Sequence, residues 1–333
     1  MKIKKTTTDK ELQPYGILEI GTGFWAAKIL MSAVELGIFS ELAKGPQGEE
    51  SIGKCLGLHP GSVREFLNAL VVSGLLEREN DVYSNTLESD FFLDKAKPSY
   101  VGGMLKWVDR SLYPIWDNLT EALQHGGQIQ KEDRGVDSVR QRCGAMTGVS
   151  MGSSLQISRK FPWKDYRTFA DLGTAEGGTP VQLALAHPHL KGIGVDEPLA
   201  KVVFEEYVAS FGLSDRLSFQ GIDFLQDPLP KAEVMVVGHV LHDWPAKEKI
   251  EFLKKIFDAL PKGGGVIIFD PLVDDVRGQN PVQLFMSLTM IMKCNRDVFY
   301  SGADCRGWMR KVGFSNIQIE PLVGFDSMLV GFK

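Results

Sequence analysis

The chain has 333 residues, 44% of them hydrophobic and 24% charged, which is an ordinary composition for a globular protein with room for two domains. A net charge of −5 argues against general affinity for nucleic acid or anionic lipid. No uninterrupted run of 18 apolar residues occurs, the start "MKIKKTTTDKELQ" lacks an apolar stretch, and the four cysteines have no zinc-like spacing. The expectation is a cytoplasmic protein with free thiols, no membrane anchor and no metal.

From Ile17 to about Gly126 the apolar residues recur at helical spacing. "FWAAKILMSAVELGIFSEL" predicts a helix closed by Gly37. "HPGSVREFLNALVVSGLLERENDVYSNT" predicts a helix stopped at Gly74, then two short strands around Asn80-Asp81. Helix, helix, hairpin is a winged-helix outline. "SLYPIWDNLTEALQHGG" predicts a further amphipathic helix, and the polar "QIQKEDRGVDSVRQ" an exposed connection.

After Phe169 the texture changes to strand-helix alternation: "TFADLG", "KGIGVDEP", "LSFQGIDF", "EVMVVGHVL", "GGVIIFDPL", "IQIEPL" and "SMLVGFK". Such repetition implies a mostly parallel sheet covered on both faces, with ligands beyond the carboxyl ends of its strands. The last two runs are too close for a crossover helix and predict an antiparallel hairpin. The domain boundaries expected are 1–130 for the winged-helix part, 131–165 for a helical connection and 166–333 for the α/β part.

The turn Gly173-Thr-Ala-Glu-Gly177-Gly178 follows the first strand. It departs from the dinucleotide fingerprint at Ala175, and Asp171 with Glu176 would repel a pyrophosphate while attracting a cationic amino-acid head. Asp196, at the end of the next strand, is placed to accept from ribose hydroxyls. A plain strand-helix corner would also account for these glycines.

"DLGTAEGG", "VDEP", "GIDF" and "VLHDW", in this order, resemble the small-molecule O-methyltransferases of the caffeate, hydroxyindole and phenazine type, which use S-adenosylmethionine. The resemblance extends to "GFWAAKILMSAVELGIFSEL" as a first dimerisation helix, "WDNLTEALQHG" ahead of the linker and "AMTGVS" before the cofactor domain. It implies a Rossmann-like class I methyltransferase sheet behind a helical winged-helix dimerisation domain, a homodimer and a small, aromatic acceptor. It further implies Asp171, Gly173 and Ser150 at the methionine end of the cofactor, Asp196 on the ribose, and Asp223 with Phe224 at the adenine. Departures are Thr174 and Ala175 for glycines, Glu197 for Leu, and Gly238 for a lysine common four residues before "HDW". Arg142 stands where the family often has Phe, which points to an acidic group on the acceptor.

His242 lies at the carboxyl end of a buried strand, where a neutral imidazole can take the proton from a phenol of ordinary pKa near ~10. Asp270 ends the next strand and is the carboxylate expected to hold the ring. A second family carboxylate is missing, with Phe299 in its place; Asp297 and Asp304 are the alternatives. Asp243 reads as the N-cap of the following helix, and His239, offset by three from His242, as a packing residue on the opposite strand face. Met146, Trp107, Met286, Met290 and Phe299 are candidates for a flat apolar acceptor slot, although each also suits core packing. Two further readings stay open. One keeps the cofactor but methylates carbon or nitrogen, or transfers no methyl group. The other is a winged-helix DNA-binding regulator, disfavoured because the helix "SVREFLNALVVSG" carries only Arg64 as a base.

Overall fold

A computed structural model describes residues 13–127, 135–273, 281–294, 300–324 and 326–333. The chain forms two units, Met1–Asp90 and Phe91–Lys333.

The first unit begins with α1 (Tyr15–Thr22) and α2 (Phe24–Leu36), followed by α3 (Ile38–Leu42), β1 (Gln47–Gly48), α4 (Glu49–Leu56) and α5 (Pro60–Val72). The hairpin β2 (Leu76–Glu79) and β3 (Val82–Asn85) turns at Asn80 and Asp81, which both adopt positive φ as a two-residue hairpin turn requires. With β1 it makes a three-stranded antiparallel sheet in the order β1-β3-β2, the wing read from the sequence. Gly37, at φ +80°, ends α2 as expected. The α1–α2 stretch carries exposed Tyr15, Ile17, Leu18, Ile20, Phe24 and Trp25. At 22 residues and a mean hydropathy of 1.4, Tyr15–Leu36 is long and apolar enough to cross a membrane by length and composition, although Glu19, Lys28 and Glu35 interrupt it.

α6 (Leu87–Leu93) leads into the second unit, where α7 (Gly102–Trp107), α8 (Tyr113–Trp116), α9 (Leu119–His125) and the 25-residue α10 (Val136–Lys160) precede the sheet. The segment read as one helix from Ser111 is divided between α8 and α9 by a turn at Asp117–Asn118. α10 starts inside the stretch read as an exposed connection; residues 128–134 of that stretch lie outside the described residues.

There follow β4 (Thr168–Leu172), α11 (Gly178–Ala186), β5 (Lys191–Asp196), α12 (Lys201–Ser210), β6 (Leu217–Gly221), β7 (Val234–Gly238), α13 (Ala246–Ala259), β8 (Gly265–Pro271), α14 (Pro281–Cys294), α15 (Gly302–Val312), β9 (Ser315–Pro321) and β10 (Asp326–Phe332). The seven strands line up as β6-β5-β4-β7-β8-β10-β9. All pairs are parallel except those of β10, which runs antiparallel to β8 and β9. All seven apolar runs of the sequence are strands of this sheet.

Alternation explains why both faces are covered. Met235 and Val237 of β7, with Val266 and Ile268 of β8, enter one core beneath α13 and α15. Val234, Val236, Ile267 and Phe269 enter the other core, with Val181, Leu183 and Trp163. A strand buried on both faces must be apolar at every position. The chain winds outward from β4 through β5 to β6, then returns to β7 on the other side of β4. The switch point therefore lies between the carboxyl ends of β4 and β7, where a doubly wound sheet opens a crevice.

Candidate active site

The crevice is narrow, about 40 Å³, and is lined on its β4 side by Asp171, Gly173, Thr174 and Ala175, and on its β7 side by Gly238 and His239. Met146, Thr147 and Ser150 of α10 form a further wall. Of the residues expected at the methionine end of the cofactor, Asp171, Gly173 and Ser150 are thus brought together. Gly173 has φ +85°, and a Cβ there would stand 2.2 Å from Val240 Cγ2, so both conformation and space demand glycine. Ala175 occupies φ +53°, a left-handed conformation that costs a residue with a Cβ. Its N–H donates to Asp196 Oδ2 at 2.8 Å, while the Glu197 N–H donates to Asp196 Oδ1 at 2.8 Å. Two amides fix that carboxylate and leave lone pairs on each oxygen for further donors.

The electrostatics of this end are those of a cation site. Burial pushes the Asp171 carboxyl up to about 7, and the Asp196 charge adds to the rise. Burial likewise pushes Glu176 up to about 7 against the opposing charge of Arg140. Asp196 is raised by burial, with the two backbone amides opposing. The Thr174 hydroxyl faces Asp171 and the Thr147 hydroxyl faces Glu176, and each opposes the rise of its acid. Three carboxylates that are costly to ionise alone fit a ligand bearing positive charge.

Asp223 and Phe224 follow β6. Asp223 is exposed, and its Oδ1 accepts from the Leu225 and Gln226 amides at 2.8 and 3.2 Å, closing an Asx turn. Phe224 rests against Phe252 and Trp244. Arg142, read as a receptor for an acidic acceptor, is instead paired with Glu197. The two residues that depart from the family pattern at these positions therefore compensate each other. Gly238 has a similar explanation: a Cβ there would meet the Phe269 ring at 2.0 Å, so this chain fills with Phe269 the space a longer residue would need.

At the next strand ends His242 and Asp270 meet. His242 sits in a short 3-10 turn after β7, and its Nδ1 lies 2.6 Å from Asp270 Oδ1. The Tyr300 hydroxyl donates to the other oxygen, Oδ2, at 2.8 Å. Asp270 is 1% exposed and Tyr300 3%, so the carboxylate is gripped from both sides away from water. Lys249 of α13 stands over the Tyr300 ring at 4.6 Å. Burial pulls the His242 imidazolium down, but the Asp270 carboxylate more than offsets it and sets the group at about 9. Burial by itself would raise Asp270; the facing His242 holds it below the usual carboxylate range.

Three expectations are corrected. His239 is not on the opposite face of a strand. β7 ends at Gly238, and His239 adopts φ +55°, turning its ring to 6.1 Å from that of His242. Asp243 is not a helix cap: Pro245 takes that place, and Asp243 Oδ1 lies 3.6 Å from His242 Nε2. Asp304 is not a spare catalytic acid, because it forms a capping box with Ser301 at the start of α15. Phe299 and Asp297 lie outside the described residues. Of the acceptor candidates, Met146 lines the crevice, whereas Trp107 ends α7, and half-buried Met286 and Met290 lie on α14, which packs on α8 through Trp116. Tyr300 escaped sequence reasoning altogether, and no local signal marks it.

Comparison with known proteins accounts for this arrangement. An O-methyltransferase domain model matches residues 116–315, and an O-methyltransferase dimerisation domain model matches residues 18–95. The chain is 36% identical to a tetracenomycin polyketide synthesis 8-O-methyl transferase of Streptomyces glaucescens, over 96% of this chain and 97% of the relative. It is also 36% identical to the N,N-dimethyltransferase OxyT of Streptomyces rimosus, over 79% of each chain. Human N-acetylserotonin methyltransferase, solved in complex with S-adenosylmethionine, shares the fold with a TM-score of 0.83 at 23% identity, covering 98% of this chain and 99% of that one. The chain belongs to the O-methyltransferase family, and is an S-adenosylmethionine-dependent O-methyltransferase of small molecules with its own dimerisation domain.

Proposed function

We propose that the enzyme methylates a phenolic hydroxyl of a fused-ring aromatic of the polyketide kind, with His242 as general base. One contact carries the catalytic part: the 2.6 Å approach of His242 Nδ1 to buried Asp270. The relative that acts in tetracenomycin polyketide synthesis supports the acceptor class.

When bound, S-adenosylmethionine supplies an electrophilic methyl carbon on a cationic sulfur. Asp171, Glu176 and Asp196 hold that cation and its polar groups, with Gly173 and Ser150 at the methionine end and Asp223 and Phe224 toward the base. Asp270 engages Nδ1 and so leaves Nε2 of His242 as the basic atom. Nε2 takes the hydroxyl proton, and Asp270 stabilises the imidazolium that results, its own position fixed by Tyr300. Met146, Trp107, Met286 and Met290 flank the acceptor.

Residues 1–130 serve dimerisation, 131–165 contribute to the acceptor pocket and 166–333 carry cofactor and catalysis. The apolar α1–α2 face pairs with a second copy of the chain rather than with lipid or nucleic acid, since the dimerisation model begins at residue 18, within α1. The free thiols of Cys55, Cys143 and Cys305 suit the cytoplasm.

The N,N-dimethylating relative makes an aromatic amine the rival acceptor. Purified enzyme with S-adenosylmethionine should methylate hydroxynaphthalene or hydroxyanthraquinone acceptors on oxygen, and H242A should lower kcat by about 10² to 10⁴. Methylation of arylamines only, or full phenol methylation by H242A, would overturn the proposal.

A further inference from the structure

We propose that His239 is a positioning residue for the His242–Asp270 pair, acting through a second buried histidine–carboxylate contact with Asp326. The inference rests on the reading of His242 as the general base.

The observations begin with the backbone. His239 holds φ +55°, a conformation that costs any residue with a Cβ and persists only where surrounding contacts impose it. Its N–H donates to the Phe269 carbonyl at 3.1 Å, and its side chain is 6% exposed. Nε2 lies 3.1 Å from Asp326 Oδ2, and the Ser153 hydroxyl of α10 donates to the same oxygen at 2.6 Å. Nδ1 lies 3.8 Å from Asp270 Oδ1, the oxygen that His242 meets at 2.6 Å. A line of groups therefore runs Ser153, Asp326, His239, Asp270, His242. A histidine that merely packs needs neither the strained backbone nor two carboxylates.

Asp270 and Asp326 are both nearly inaccessible, on antiparallel neighbours whose register pairs Asp326 with Pro271 and Ser327 with Asp270. Two buried carboxylates on adjacent strands repel, and repulsion drives a proton onto one of them. If Asp270 took that proton, His242 would lose its partner. His239 lies between the two acids and relieves this, and its charge interaction holds the Asp270 carboxyl down. Other charged or titratable groups facing the pair are Asp243 in the His242 turn, Lys249 of α13, Tyr300 and Cys305 of α15.

The test is a titration of the full-length, cofactor-free protein labelled at histidine Cε1, followed by NMR from pH 5 to 10.5. It needs no acceptor, so it reads the coupling independently of which atom is methylated; the base role is read separately from the activity of H242A. The His242 resonance, assigned by its loss in H242N, should titrate near 9. In H239Q, where no imidazole stands between Asp270 and Asp326, Asp270 holds a proton more readily and the His242 inflection should fall by about half a unit or more. In a D270N background H239Q should move His242 much less. If H239Q fails to fold, H239N in the same titration carries the test. A His242 inflection that H239Q leaves unmoved or raises overturns the proposal. So does H239Q weakening S-adenosylmethionine binding while leaving His242 unchanged, which would make His239 a wall of the cofactor site only.

Discussion

Loading the cofactor should expel protons from the enzyme. Asp171 and Glu176 are each pushed up to about 7 by burial, so near neutral pH each is half protonated in the free protein. A ligand carrying positive charge binds their ionised forms. Between pH 8 and pH 6 an acid with a pKa near 7 adds about 1.4 kcal/mol to the cost of binding, or about tenfold in Kd. Two such acids release up to about one proton in total at pH 7. The sign for stability follows from the same shift. The folded-state pKa of Asp171 is raised from 3.8, so its penalty is absent below pH ~4 and complete above about 7. The rise from 3.8 to about 7 corresponds to roughly 4 kcal/mol. D171N should therefore raise the melting temperature of the free protein at pH 7.5, while shrinking the further rise caused by S-adenosylmethionine. Calorimetric titrations at pH 7 in buffers of different ionisation enthalpy count the protons released, and the same titrations across pH 6–8.5 give the slope of Kd. Affinity independent of pH, with no buffer-dependent heat, would refute the view that these acids are strained by burial and relieved by the cofactor.

Three further outcomes are expected. Y300F removes the donor to Asp270 Oδ2 and should lower kcat several-fold at a cost of about 1–2 kcal/mol in stability; unchanged kinetics would mean that the strand alone holds Asp270. G238A forces a Cβ against the Phe269 ring and should lower the thermal midpoint, by about 1–3 kcal/mol in stability, whereas an F269A/G238A double variant should lose less than the sum of the singles. W25E, at a position 60% exposed in the α1–α2 face, should shift the protein from dimer to monomer in light scattering; a dimer that persists would place the interface elsewhere.

The centre of the sheet was legible because β4, β7, β8 and β10 are buried on both faces and so read as apolar runs, while the exposed edge strands β6 and β9 were legible from their spacing. Asp171, Asp196 and Asp270 were legible because carboxylates closing such runs fall at strand carboxyl ends. What failed was anything fixed by a single backbone conformation or by distant partners. Period-two alternation, applied to His239, put it on the wrong face, because the strand stops one residue earlier and the chain turns left-handed. Asp243 lost its expected cap to Pro245 two residues later. Tyr300 reaches Asp270 across 30 residues of sequence. Compensated departures were also opaque: Glu197 and Arg142 looked like separate defects, as did Gly238, until the salt bridge and the Phe269 ring explained them.

The two halves of the crevice carry opposite electrostatic problems, and each solves the other. The β4–β5 side holds buried acids that lack a cation, while the β7–β8 side holds a histidine that Asp270 keeps protonated to about 9. At pH 7 the imidazolium form of His242 therefore predominates in the free enzyme. Positive charge entering the crevice satisfies Asp171 and Glu176 and, at the neighbouring strand ends, disfavours the His242 imidazolium. Linkage makes the effect reciprocal, so the neutral base form of His242 also binds the cofactor more tightly. With His242 as the proposed base, the loaded enzyme would be primed to accept a proton before the acceptor arrives. The acid limb of kcat, which reports the loaded enzyme, should accordingly lie below the value near 9 that His242 shows in cofactor-free protein.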